Sequence, residues 1–546
     1  MDTLIITYED IRTLDVSPDG RFVASVANTD TQGMNTVVDL WDAQTGTNVL
    51  ASADVSNAVP VSGPSYAPLV DPSGRYVIFL SYATNLTTNA LTGGCHLYCR
   101  DTELDSTVLV DANTNGVGVG VDPAGYPDFC PGSRLLTFES DDAQDRNHYM
   151  NVLVCNLQSN ATELASIQSP AISSQSPDGP SVLSSTAAVS LNGQYVAFAS
   201  DADNLVPNDT NGFREVFVRD LNAGTNILVS ADTNGLPAAG VSSEASISGN
   251  GQYVVFSSSA ASLAPGDANN AVDVFERNLQ LGTTTLVSEN LSHQGSGNGV
   301  GSGSSGSFAS QWGWSFSADG SLLVYQTSAA IVAMDTNLVN DVYLYAVVAK
   351  TNLLVSQNLT GTGAGDGASD SPVISPDGRF VAYRSAADNL VPGDSNGVPD
   401  VFIYDRTIGT TTLVSPSQFG TGSGDNRSLL PLFSGDGQTL VFESAASDLV
   451  TNDWNRTSDL FALNLYEAGL SSTYYIQIVP LVAPGLNPTL TWPVQPGKTY
   501  QVQFKNNLTD PAWQTLPGNV SILGNTGSFT DPTPPSGQRF YQIVGQ

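Results

Sequence analysis

A turn made of a polar residue and glycine, followed at once by an apolar run, recurs eight times along this chain at intervals of about 60 residues. It stands at Asp19-Gly20-Arg21-Phe22-Val23, at Ser73-Gly74-Arg75-Tyr76-Val77 and, degenerate, at Gly132-Ser133-Arg134-Leu135-Leu136. It returns at Asn192-Gly193-Gln194-Tyr195-Val196, Asn250-Gly251-Gln252-Tyr253-Val254 and Asp319-Gly320-Ser321-Leu322-Leu323. The last two copies are Asp377-Gly378-Arg379-Phe380-Val381 and Asp436-Gly437-Gln438-Thr439-Leu440. A repeat of this kind restricts the chain to architectures built by stacking one supersecondary unit on the next.

Each unit reads as four strands. In the seventh, a strand through residues 371–375 meets the turn Pro376-Asp377-Gly378, and residues 379–384 return from it. A polar loop follows, then a strand over 400–405, a turn at Ile408-Gly409 and a fourth strand over 411–415. Asp-Gly suits the hairpin because its positions must accept positive φ. A four-stranded antiparallel sheet cannot bury both faces alone, whereas radial stacking buries them all. The expected fold class is all-β, an eight-bladed β-propeller over residues 1–466. In the eighth unit no outer strand follows the third, over 459–463. The apolar Thr3-Leu4-Ile5-Ile6-Thr7, ahead of the first inner strand over 12–17, is expected to complete that blade and latch the ring.

Ser17-Pro18-Asp19-Gly20-Arg21-Phe22-Val23-Ala24 and Ser375-Pro376-Asp377-Gly378-Arg379-Phe380-Val381-Ala382-Tyr383, with the later Asp-Val-Phe strand, resemble the WD-like repeats of TolB-type propellers. The resemblance implies a propeller and leaves function open, since such propellers serve as binding platforms, periplasmic assembly factors and enzyme scaffolds.

After Tyr466 the pattern changes. Strands are expected over 474–481, 489–492, 499–505, 513–516, 527–530 and 539–544, with proline-rich connections. Pro488-Thr489-Leu490-Thr491-Trp492-Pro493, Pro496-Gly497-Lys498-Thr499-Tyr500-Gln501-Val502-Gln503 and Arg539-Phe540-Tyr541-Gln542-Ile543-Val544 resemble the fibronectin-type β-sandwich at the C-termini of exported bacterial proteins. Residues 467–546 are therefore expected to form a small β-sandwich. Trp492 and Trp513 are read as its core rather than as a carbohydrate-binding surface.

The net charge of −34 falls entirely before residue 467, because Lys498, Lys505 and Arg539 balance Glu467, Asp510 and Asp531 after it. Such a field repels nucleic acid and anionic membranes and attracts cations. No apolar run is long enough to span a bilayer. The opening residues show no secretory signal. The acidic composition, with few lysines, favours an exported protein (extracellular, periplasmic or at the cell surface), expected to be monomeric.

The loop between second and third strands carries the most chemistry. In the fourth unit it reads Asp201-Ala202-Asp203-Asn204-Leu205-Val206-Pro207-Asn208-Asp209-Thr210-Asn211-Gly212-Phe213-Arg214-Glu215. In the seventh, Asp388-Asn389-Leu390-Val391-Pro392-Gly393-Asp394-Ser395-Asn396-Gly397-Val398-Pro399-Asp400 is close to it. The fifth unit keeps Asp267, Asn269 and Asp273, and the eighth keeps Asp453, Asn455 and Asp459. The shortened sixth has Asp335, Asn337 and Asp341. Calcium takes oxygens from carboxylates, amides and carbonyls, and Asp-x-Asn-Gly loops can curl round it. The residues at offsets zero, two and six, namely Asp209, Asn211 and Glu215 and their counterparts in the other units, are therefore candidate Ca²⁺ ligands. The competing reading is that Asp, Asn and Gly simply make good turns.

Catalytic sets are hard to assemble. The three histidines, His96, His148 and His293, are scattered, and each reads as core or solvated. Cys95 and Cys99 lie about 13 Å apart along one strand, too far to pair. Pairing of either with Cys130 or Cys155 stays open beside free buried thiols. The Gly/Ser-rich stretch 295–310 precedes Trp312-Gly313-Trp314 on the sixth inner strand, where Trp312 and Trp314 could bind a sugar or fill the channel. The expected function is a non-enzymatic, calcium-stabilised platform for a protein or carbohydrate ligand. The alternatives are a carbohydrate-active enzyme (lyase or glycoside hydrolase) on the same scaffold and a purely structural cell-surface module.

Overall fold

The structure is a computed structural model. It describes residues 14–29, 35–60, 62–123, 125, 127–130, 134–140, 149–159, 161–169, 178–183, 188–265, 267, 271–289, 314–419, 422–450, 458–465, 489–493, 500–505, 514–518, 520–523, 526–532 and 540–545. All regular structure among them is strand, and eight antiparallel sheets form the blades of a propeller. Blade one comprises Leu14–Val16, Phe22–Asn28, Thr36–Asp42 and Thr47–Leu50, hydrogen-bonded in that order. Blade four comprises Ser181–Val182, Tyr195–Ser200, Glu215–Asp220 and Thr225–Leu228, and blade five Ser242–Ile247, Tyr253–Ser258, Asp273–Asn278 and Thr283–Leu286. Blade six comprises Trp314–Phe316, Leu322–Thr327, Asp341–Ala346 and Thr351–Leu354, and blade seven Ser369–Ile374, Phe380–Ser385, Asp400–Asp405 and Thr410–Leu413. Blades two and three repeat the same order, and blade eight shows Ser428–Phe433, Thr439–Ser444 and Asp459–Asn464. The expected latch over residues 3–7 lies outside the described residues.

The repeated turn is local chemistry. In six blades the serine before it (Ser17, Ser190, Ser248, Ser317, Ser375, Ser434) donates its hydroxyl to the Asp or Asn two residues on, at 2.6–2.7 Å. The same oxygen accepts the N–H five residues on, at 2.9–3.1 Å, so each turn is closed from within. The glycine takes the left-handed conformation, as Gly74 does at φ 70°. It is also where neighbouring blades meet: a Cβ on Gly74 would stand 2.4 Å from the ring of Phe22 in blade one. Arginine after the glycine clasps the far end of the third strand. Arg21 is bidentate to Asp42, Arg75 to Asp101 and Arg379 to Asp405.

The core lies between blades. Second and third strands bring an aromatic pair into register in six of them, as in Phe198 with Phe217, Phe256 with Phe275 and Tyr383 with Phe402. Ring centroids of those three pairs are 5.8–5.9 Å apart. The ring closes through the same kind of seam: Leu14, Val16 and Val23 of blade one pack on Val441 of blade eight, and Asp436 N–H donates to Pro18 O at 2.7 Å.

Beyond the propeller, two three-stranded sheets are described. One orders Thr489–Pro493, Thr526–Thr530 and Ser521–Leu523, and the other Gln514–Thr515, Tyr500–Lys505 and Phe540–Gly545. Val502, Leu516 and Phe529 make a common buried cluster. The expected strand over 474–481 and Trp513 lie outside the described residues.

Candidate cation site

In blades four, five and seven the loop between second and third strands is pinned at both ends by serines. At its start, the last residue of the second strand pairs with the first of the inner strand: Ser181 with Ser200, Ser242 with Ser258, Ser369 with Ser385 and Ser428 with Ser444, at 2.8–2.9 Å. In these four blades that serine's Oγ also accepts the N–H two residues on, which turns the chain into the loop. At its end stands the first residue of the third strand, which is acidic in five consecutive blades: Glu215, Asp273, Asp341, Asp400 and Asp459. In blades four to seven a buried serine fifteen residues on accepts the next N–H of that strand and, in blades five to seven, donates to the acid. Ser288 reaches Asp273 at 2.8 Å, Ser356 reaches Asp341 at 2.6 Å and Ser415 reaches Asp400 at 2.7 Å.

Six residues before these acids stands a second set, Asp209, Asp267, Asp335 and Asp394, all at most 9% exposed. Between the two sets the loop asparagine acts as a clip. Asn211 Nδ2 donates to Ala238 O, Asn337 to Gly365 O and Asn396 to Gly424 O at 2.8–2.9 Å, tying each loop to the connection entering the next blade. Its Oδ1 accepts the N–H two residues on. Asn269, Asp453 and Asn455 lie outside the described residues, whereas Asp459 is described at the start of its strand.

Burial without compensation raises these carboxyls. Desolvation pushes Glu215 up to about 8 and Asp209 up to about 6, with repulsion from Asp203 and, for Glu215, from Asp209 adding to it. Asp341 and Asp400 rise to about 7, chiefly by desolvation, against which their serine and asparagine donors work. Both oxygens of Asp209 and of Glu215, with Asp203 Oδ1, Asp341 Oδ2 and Asp394 Oδ1, are buried and meet no hydrogen bond of normal geometry. Asn211 offsets the burial of Asp209 and Glu215 only in part. A hard cation is the natural partner of such oxygens. Among the described residues, no three His, Cys, Asp or Glu side chains already converge on one point as a metal site. Ion capture would thus combine two carboxylates with amide or backbone oxygens, or would draw side chains together.

The other three described blades differ at the same position. Counted back fifteen from the residue that accepts the next N–H, it is Val37 in blade one, Asn151 in blade three and His96 in blade two. In blade two the serine is replaced by Asp111, whose carboxylate accepts from His96 Nδ1 at 2.7 Å, Gly120 N–H at 2.9 Å and Leu97 N–H at 3.1 Å. Blade two therefore meets its buried acid with side-chain and backbone donors of its own. His148 and His293 lie outside the described residues. Trp314 is buried with Val255, Val274 and Tyr325 between blades five and six, and Trp312 lies outside the described residues. The four cysteines are free, buried thiols. Glu139 on the second strand of blade three is buried, accepts from Leu183 N–H and is pushed up to about 8 by desolvation.

Sequence reading found the acids and the asparagine but not their serine partners or Asp203. The constant spacing of fifteen between acid and serine was the signal available for the former.

No protein-family model and no curated protein matches this chain. Among solved structures it is similar to an oligogalacturonate lyase in complex with manganese, at 12% identity and TM-score 0.41, over 82% of this chain and 97% of that one. A prolyl endopeptidase matches at 12% identity and TM-score 0.43, over 80% and 54%. A putative TolB from Agrobacterium tumefaciens matches at 13% and 0.30, over 72% and 98%. Likeness this weak says nothing of the present chain's chemistry.

Proposed function

We propose that this chain is a calcium-stabilised β-propeller acting as a binding platform, with a C-terminal fibronectin-type sandwich over residues 467–546, and that it works outside the cytoplasm. The observation that carries the cation half is the arc of buried acids over blades four to seven, with Asp209 and Glu215 buried and unmet by hydrogen bonds. Asp273, Asp341, Asp400 and Asp459 are its further candidates, with Asp267 and Asp394 in the second set. Carboxylate oxygens favour a hard divalent ion, and the loop geometry suits calcium better than the strict octahedron of magnesium. A cation bound there neutralises the arc and stiffens one face, leaving the loops around the channel to present a partner.

The test is a thermal melt of metal-stripped chain with and without millimolar calcium, with magnesium as control. A calcium-specific rise of several degrees supports the reading, and coincident melts refute it. The platform half stands against catalysis: turnover of polysaccharide or peptide panels by calcium-loaded protein would overturn it. Export is supported by the acidic composition, with 52 acidic against 18 basic residues. Fractionation that finds the chain in the cytosol would refute it.

A further inference from the structure

Resting on the cation reading above, we infer that blade four holds the tight divalent-cation site, with Glu215 and Asp209 as its anionic ligands and Asp203 as a supporting charge. The corresponding positions of blades six and seven are already largely closed by the protein itself.

The argument compares equivalent oxygens. In blade seven both oxygens of Asp400 are in use, Oδ1 by Ser415 and Oδ2 by Asn396 Nδ2 at 2.7 Å. In blade six Ser356 holds Asp341 Oδ1, and the Tyr343 hydroxyl donates to Asp335 Oδ2. In blade four neither a serine nor a tyrosine hydroxyl meets the acids. Glu215 is one methylene longer than its counterparts, and its carboxylate stands apart from Ser230, whose Oγ accepts only from Val216 N–H at 2.9 Å. Asn211 gives its amide to Ala238 O at 2.9 Å and offsets the burial of Glu215 only in part. Five carboxylate oxygens of this one loop are left buried and unmet: both of Glu215, both of Asp209 and Oδ1 of Asp203. Glu215 and Asp209 are 1% and 4% exposed, so bulk solvent does not reach them.

The surrounding charge points the same way. Asp178, on the connection entering blade four, accepts Asp203 N–H at 2.9 Å and adds a fourth carboxylate to the neighbourhood. Arg214 is the next residue to Glu215, but its guanidinium is bidentate to Asp201, both bonds at 2.7 Å. Among the described residues, therefore, no Lys or Arg is spent on Asp209 or Glu215. An all-oxygen set with a flexible Glu matches calcium, whose coordination tolerates irregular geometry.

The experiment is calcium binding by equilibrium dialysis and calorimetry on the intact chain, comparing Glu215→Gln, Asp209→Asn, Glu215→Asp, Asp341→Asn and Asp394→Asn. The tight site is expected to weaken by at least about tenfold in the first two variants and to persist in the last two. Glu215→Asp keeps the charge but brings it within reach of Ser230, as in blade seven, and should also weaken the site. Circular dichroism and melts in calcium-free buffer verify folding, and Glu215→Asp gives a charge-conserving readout if an amide variant fails to fold. Loss of the tight site in Asp394→Asn or Asp341→Asn, with Glu215→Gln unaffected, overturns the assignment to blade four while leaving calcium binding intact. No calcium uptake by the unmodified chain overturns both readings.

Discussion

Glu276 sits fourth on the third strand of blade five, a position held by Val218, Leu344 and Ile403 in blades four, six and seven. It is 3% exposed, and desolvation pushes its carboxyl up from 4.5 to about 7, with Lys350 pulling weakly the other way. A carboxyl with a raised folded-state value binds its proton more tightly when folded. The stability tied to that proton is present at low pH and is lost as pH rises through about 7. With 4.5 in the unfolded chain and about 7 in the folded one, Glu276 costs about 3 kcal/mol at pH 8, where it is ionised, and about 1 kcal/mol at pH 5, where folding obliges it to take up a proton. Glu276→Gln removes that cost, so it should stabilise the propeller mainly at alkaline pH. For a chain of this size unfolding together, 3 kcal/mol corresponds to a melting shift of about 3 °C. The assay is scanning calorimetry of both proteins at pH 5 and pH 8 in saturating calcium, which holds the acidic loops constant. Equal shifts at both pH values, or a less stable variant at pH 8, would refute the electrostatic account.

Gly74→Ala should destabilise by about 2 kcal/mol or more, because φ is 70° and the new methyl meets the Phe22 ring; a denaturant midpoint unchanged from the parent would show the seam to be loose. Ser415→Ala removes both the acceptor for Val401 N–H and the donor to Asp400, and should cost about 1–3 kcal/mol by the same measurement. With four free buried thiols, a thiol reagent should react slowly with native chain and find all four in non-reducing denaturant; finding two would reveal a disulfide.

The blades were legible because their defining turn is closed by residues within five positions of one another, so the Ser-x-Asp-Gly string carries its own hydrogen bonds. The acidic loops were legible as strings for the same reason. Their internal differences were not. Whether an acid at the head of the third strand is satisfied depends on a serine fifteen residues away, brought back by the outer hairpin. It also depends on one methylene, which separates Glu215 from Asp400. The role of Asn211 in clipping its loop to Ala238 likewise rests on a neighbouring connection 27 residues on. Trp314 read equally as ligand platform or filler, because a lone inner-strand aromatic gives no hint of which neighbour covers it.

The seam between blades one and eight joins parts of the chain more than four hundred residues apart, yet it uses the same materials as the seams between consecutive blades. A Cβ on Gly20 would press on Thr439 across it, just as one on Gly251 would press on Tyr195 within the continuous chain. Which blade comes first along the polypeptide is therefore a matter of wiring rather than of structure. A permuted chain, cut in an exposed connection between two blades and rejoined across the old ends by a flexible linker, should assemble the same ring.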